Sequence, residues 1–228
     1  MLLAAAAVIP ALILLIQVYR ADRLEKEPLG LLLSLVGLGI VSTFLAEITE
    51  YVGELLLSVL FVPDSLIYNL LLYFIVVAGS EEGFKYLVLK KRTWRSPAFD
   101  CQFDGVVYAV FVSLGFALWE NLAYVFAYGM GTAVARALTS VPGHACFGVF
   151  MGAWYGIARR WELYGEPELS RRARRNAVLI PVLLHGSYDF IASLPWDWCA
   201  LVFLLFVLIL FTVALRLVKK LAKNDSYM

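Results

Sequence analysis

Seven stretches of this chain are each about as long and as apolar as a helix that crosses a bilayer, which takes ~20 residues. They lie near residues 1–19, 29–46, 66–89, 104–127, 139–158, 177–194 and 197–217. With 62% hydrophobic and 16% charged residues over 228 positions, an ordinary soluble domain is excluded. The expected fold is all-α, a polytopic transmembrane bundle of about seven helices forming a single integral membrane domain over residues 1–228. Residues 47–62 are expected either to extend the second span or to lie in the interface.

The distribution of charge orients this bundle. Of the 19 Lys and Arg residues, 17 fall after the first, third, fifth and seventh spans; the exceptions are Lys85, inside a span, and Arg136, on the opposite side. By the positive-inside rule the N-terminus is outside and the C-terminus cytoplasmic. The first apolar segment lacks a basic region before it, so it reads as a retained helix rather than a signal peptide. The loop RRWELYGEPELSRRARRN reads as a topology determinant, and no nucleic acid is expected as a partner. Glu47, Glu50 and Glu54 form an acidic stripe expected to be a solvated surface without a role. Cys101, Cys146 and Cys199 offer no CxxC and no disulfide framework.

Ionisable groups inside the spans are few. They are Glu81, Glu82 and Lys85 on the third, Glu120 on the fourth, His144 on the fifth, and His185 with Asp189 on the sixth. Each costs roughly 2.5–3.5 kcal/mol or more at membrane depth, so each calls for partners and a task. Both histidines of the protein are in this set. His185 and Asp189 are four apart on one helix face, with Pro181 a turn below. Ser113, Phe116, Glu120 and Tyr124 make one stripe, and His144, Gly148, Gly152 and Gly156 make a small-residue ridge that admits a close neighbour. Lys85, three residues from Glu82 and four from Glu81, is expected to neutralise one of the two glutamates. Glu81 and Glu82 lie ~13 Å from the cytoplasmic end at 1.5 Å per residue, whereas Glu120 and His144 fall nearer the outer face. A cavity opening outward would reconcile those depths.

Such a set could relay protons or bind a cation in a carrier, hold a metal, or activate water for hydrolysis. A non-catalytic scaffold is a further alternative. A carrier would show broken helices in paired halves, and no internal duplication is visible. Hydrolysis needs a base, a second polariser and an oxyanion stabiliser, and these residues can fill each role.

EEGFK at 81–85, DGVVYAVFVSLGFALWENLAY at 104–124, PGHACF at 142–147 and HGSYD at 185–189 together resemble the four motifs of the PrsW family of intramembrane proteases. The resemblance covers residues 68–194. The larger group, with the CAAX prenyl endopeptidases and bacteriocin-processing relatives, carries EExxxR, FxxxH and HxxxN or HxxxD. Here Lys85 stands one residue closer than that arginine, and Glu120 follows Phe116 where the second signature has histidine. The resemblance implies a peptidase in the cell membrane that cleaves a single-pass membrane protein near the outer face, such as an anti-sigma factor in a stress-signalling cascade. It implies Glu81 or Glu82 as general base on water, aided by Glu120 or His144, with the other glutamate held by Lys85. His185, oriented by Asp189, would stabilise the oxyanion or protonate the leaving amine, and Asn121 would be a supporting residue. A divalent metal such as zinc would find ligands in Glu82, Glu120, His144 and His185. There is no HExxH pattern, and the larger group is also described as glutamate-dependent, so the reading favours no tightly bound metal.

Overall fold

The computed structural model describes residues 2–228, which form seven long helices and one short one. In chain order they are α1 Leu2–Ala21, α2 Leu29–Leu60, α3 Leu66–Thr93, α4 Asp104–Tyr128, α5 Met130–Leu138, α6 Ser140–Leu163, α7 Pro167–Ser193 and α8 Asp197–Lys223. No strand occurs among the described residues. By length and composition α1, α2, α3, α4 and α8 are apolar enough to cross a membrane. Helices α6 and α7 are as long, but α6 is rich in glycine and α7 opens on a basic segment.

The second helix does not stop near residue 46; it continues as one helix to Leu60 and carries Glu47 and Glu50 with it. Its unbroken run of helix-forming residues holds neither Pro nor a Gly–Pro signal that would end it. α3 starts at Ser65, whose Oγ accepts from the Tyr68 amide at 3.3 Å. About two turns later, Leu72–Val77 widens into a π-helical stretch, immediately before the turn that bears Glu81 and Glu82. Such bulges re-aim side chains on the turns that follow them. Gly186 of α7 lies against Phe74 here, and a Cβ on it would come within 2.6 Å of that ring. Gly129, at φ +85°, lets the chain leave α4 and start the short α5 at once.

α4 is the centre of the bundle, buried on all sides from Asp104 to Ala117. It can be surrounded because glycines on both neighbours let backbones touch. A Cβ on Gly105 would lie 2.7 Å from the Gly152 carbonyl oxygen and 2.7 Å from the Gly156 nitrogen of α6. On the other side Gly115 meets Val36, and Gly39 of α2 meets Val112. The His144–Gly156 ridge is therefore the α4–α6 seam, the tight approach that small residues permit where solvent gives no hydrophobic drive between helices.

At the basic-loop end, the α1–α2 connection is folded inward. Tyr108 of α4 donates to Glu27 Oε2 at 2.6 Å. Burial pushes the Asp22 carboxyl up to about 6 and the Glu27 carboxyl up to about 7, so both titrate close to neutral pH.

Candidate active site

α3 presents Glu81, Glu82 and Lys85 on one face because three- and four-residue spacings share a side of a helix. An ammonium has three N–H donors, and Lys85 spends all three inside the protein. They reach Glu81 Oε2 at 2.9 Å, Glu82 Oε1 at 2.8 Å and His144 Nδ1 at 3.2 Å. The same nitrogen sits 3.9 Å from the centre of the Phe116 ring. The expectation that Lys85 serves only one glutamate is thus corrected: with no water at 0% exposure, the ammonium needs every acceptor within reach.

The remaining groups close around this centre. His144 Nε2 donates to Glu120 Oε2 at 2.8 Å, which leaves its Nδ1 free to accept from Lys85. Glu120 Oε2 is also 2.8 Å from Arg136 Nη2. Arg136, at the end of α5, donates through Nε to Asn121 Oδ1 at 3.0 Å and lies 4.2 Å from the Tyr124 ring centre. Asn121 in turn donates to the Ala7 carbonyl of α1 at 2.7 Å, so it braces Arg136 instead of facing the glutamate pair. On α7, His185 Nδ1 is 3.0 Å from Glu82 Oε1 and its Nε2 is 3.2 Å from Asp189 Oδ2. Both nitrogens face carboxylates, the pairing of an imidazolium that donates twice. Phe147 stacks on its ring at 4.7 Å and 19°.

The sequence spread these groups from the midplane to the outer leaflet, whereas the structure links them into one chain of contacts. The long side chains of Lys85 and Arg136 close the gaps that counting residues along separate helices leaves open. A cavity of about 500 Å³ opens beside this chain, on the side of the α4–α5–α6 connection. Glu81, Glu120, His144, His185 and Asp189 line it, and Glu82 does not. Glu47 and Glu50 line it too, so two members of the stripe set aside as a solvated surface face the chamber, while Glu54 does not. Arg136 is the other participant that the sequence reading passed over. Its signal was there: it is the one basic residue outside a span on the side away from the basic loops.

Four donors come within 4.8 Å of one another, namely Glu81, Glu82, His144 and His185. Two imidazole nitrogens and two carboxylates suit zinc, and Glu82 Oε2 is a buried oxygen without a partner, so the donor set fits a divalent ion. Glu120, expected among these ligands, is tied to Arg136 and His144, and Glu81 stands in its place. Three of these donors, Glu81, Glu82 and His144, meet the Lys85 ammonium in this structure.

A helical membrane bundle that buries adjacent carboxylates and two imidazoles beside an interior chamber is, in class, a membrane-embedded hydrolase. Residues 27–215 match the description "PrsW family intramembrane metalloprotease". Among curated proteins the chain is similar to Protease PrsW of Clostridioides difficile, 33% identical over 94% of this chain and 89% of that one. It is similar also to Protease PrsW of Bacillus subtilis, 32% identical over 94% and 93%, and of Geobacillus kaustophilus, 34% identical over 96% and 91%. No solved structure matches. The chain belongs to the PrsW family of intramembrane proteases, a membrane peptidase family whose description as metalloproteases runs against the metal-free reading.

Proposed function

We propose that the chain hydrolyses a peptide bond of a single-pass membrane protein, of the kind of a membrane-anchored anti-sigma factor, inside the chamber bordered by Glu81. The basic loops would face the cytoplasm and the chamber would open toward the other face. The observation that carries the assignment of roles is that Glu81 borders the chamber whereas the adjacent Glu82 is fully enclosed.

In this reading Glu81 is the general base that takes a proton from a water molecule in the chamber. Lys85 Nζ lies 2.9 Å from Glu81 Oε2 and fixes that carboxylate beside the chamber. Glu82 is the structural partner that holds Lys85 and His185 in place. His185, paired at both nitrogens, is the acid that hands a proton to the leaving amine, with Asp189 retaining its orientation. His144, fixed by Glu120 and Arg136, is the second polar wall of the site. A zinc ion held by Glu81, Glu82, His144 and His185 would replace this division of roles: when bound it would polarise the water and the scissile carbonyl, and Glu81 and His185 would then serve as its ligands.

Glu81→Gln and Glu82→Gln separate the roles in proteoliposomes containing a tagged single-pass substrate. Loss of a general base costs typically 10²–10⁴-fold, so Glu81→Gln is expected to lower the cleavage rate by that order in protein that remains folded. Glu82→Gln is expected to lower stability as well as rate. Cleavage by Glu81→Gln and His185→Ala proteins at the wild-type rate would overturn the reading.

A further inference from the structure

At the basic-loop end, far from the chamber, the α3–α4 connection and the segment that follows α8 are joined. Tyr227 pairs with Cys101 in an antiparallel bridge, and the Met228 amide donates to the Asp100 carbonyl at 2.7 Å. Two carboxylates inside this junction are held by one oxygen each. Asp104 Oδ2 accepts from the Cys101 amide at 2.7 Å and the Asp100 amide at 3.2 Å, and Asp225 Oδ1 accepts from the Phe103 amide at 2.9 Å. The second oxygen of each, Asp104 Oδ1 and Asp225 Oδ2, is buried without a partner. Cys101, a free and fully buried thiol, offers its sulfur beside them, and one ligand atom from each of the three lies within 4.8 Å of the others.

A second element points the same way. The α1–α2 connection brings Asp22 and Glu27, each only 2% exposed, to this end, and Asp22 Oδ2 and Glu27 Oε1 are likewise buried without partners. Of the ten buried side-chain polar atoms lacking a partner, five are carboxylate oxygens of Asp22, Glu27, Asp100, Asp104 and Asp225. Native proteins leave few such atoms unpaired, so their concentration at one place marks a missing positive partner. Lys26 does not supply it, because its ammonium is turned to the backbone carbonyls of Tyr19 and Asp22. Arg160 nearby donates through Nη2 to Ser226 Oγ at 2.6 Å, and its Nε is buried without a partner, so it meets none of these carboxylate oxygens.

We propose that Cys101, Asp104 and Asp225 bind a divalent ion of the zinc class. One thiolate and two carboxylates make three protein ligands, with water completing a tetrahedral site. The ion would staple the segment after α8 to the first turn of α4. Glu120 lies sixteen residues further along that helix, about 24 Å away at 1.5 Å per residue, so the ion is distinct from the chamber.

Cobalt(II) titrated alone into the purified, metal-stripped protein tests this, because thiolate-to-cobalt charge transfer absorbs in the near ultraviolet. The chamber offers only nitrogen and oxygen donors and stays silent in that band. The band is expected to saturate near one equivalent, to be bleached by added zinc, and to persist when Cys146 and Cys199 are both changed to Ser. Cys101→Ser is expected to abolish it, and the isosteric Asp225→Asn to weaken cobalt affinity at least about tenfold, with the metal-free thermal midpoint of each variant recording its fold. Absence of the band in the unmodified chain, its survival in Cys101→Ser, or unchanged affinity in Asp225→Asn would overturn the proposal.

Discussion

Lys85→Met removes the ammonium while keeping most of the side-chain volume, and its consequence follows from the contacts. Lys85 Nζ lies 2.9 Å from Glu81 and 2.8 Å from Glu82, with the lysine and Glu82 side chains fully buried and that of Glu81 7% exposed. At an effective dielectric of about 20, each contact has a gross attraction of about 6 kcal/mol. Burying the ammonium offsets several kcal/mol of that, and breaking a buried pair by removing one partner costs about 3–5 kcal/mol, because the other charge is left without compensation. Here two carboxylates are left, side by side. The expected loss is therefore about 3–5 kcal/mol, read as a fall in unfolding free energy in detergent micelles or bicelles. The double variant Lys85→Met/Glu82→Gln should recover part of that loss, because the amide no longer carries an unpaired charge. A coupling of about 1 kcal/mol or more in this cycle is expected, within the usual range for residues in one network. If Lys85→Met lay within about 1 kcal/mol of wild type, or the two changes were additive, the view of Lys85 as the counter-ion of both glutamates would be refuted.

Gly152→Val places a branched side chain where α4 meets α6, against Gly105 and Val106, and is expected to destabilise the fold by about 1–3 kcal/mol or more; a wild-type midpoint would contradict the tight seam. Asn121→Ala removes the link between Arg136 and the Ala7 carbonyl and should cost about 1 kcal/mol of stability, checked by the same unfolding assay, with the cleavage rate reduced less than by Glu81→Gln. In the Cys101→Ser background, chelation with elemental analysis before and after should leave helicity and midpoint unchanged, because Lys85 already neutralises the glutamate pair; unfolding on chelation would show the chamber metal to be structural.

The fold class was legible because the bilayer makes length and hydropathy nearly sufficient: a segment without water must satisfy its own backbone, and only helices of about the right length do so one by one. The set of ionisable residues that the bundle brings together was legible for a related reason. Ionisable residues are so costly at membrane depth that Glu81, Glu82, Lys85, Glu120, His144, His185 and Asp189 stood out from the surrounding Leu, Val and Phe. Glu47 and Glu50 were not legible, since they sit beyond the expected span end, where charge is ordinary, and Arg136 was marked only as the lone basic residue on its side. Their part in the chamber depends on α2 running unbroken to Leu60 and on Gly129 folding α5 back over α4.

The difference in exposure between Glu81 and Glu82 belongs entirely to tertiary structure. Neighbours in sequence, they point 100° apart around one helix, so the bundle closes over one and leaves the other on the chamber wall. The chain by itself therefore determined that a helical membrane bundle would bury a set of acids and imidazoles. Packing alone decided which atoms meet, because contacts between helices depend on crossing geometry and side-chain reach, and neither is encoded in spacing along any single helix.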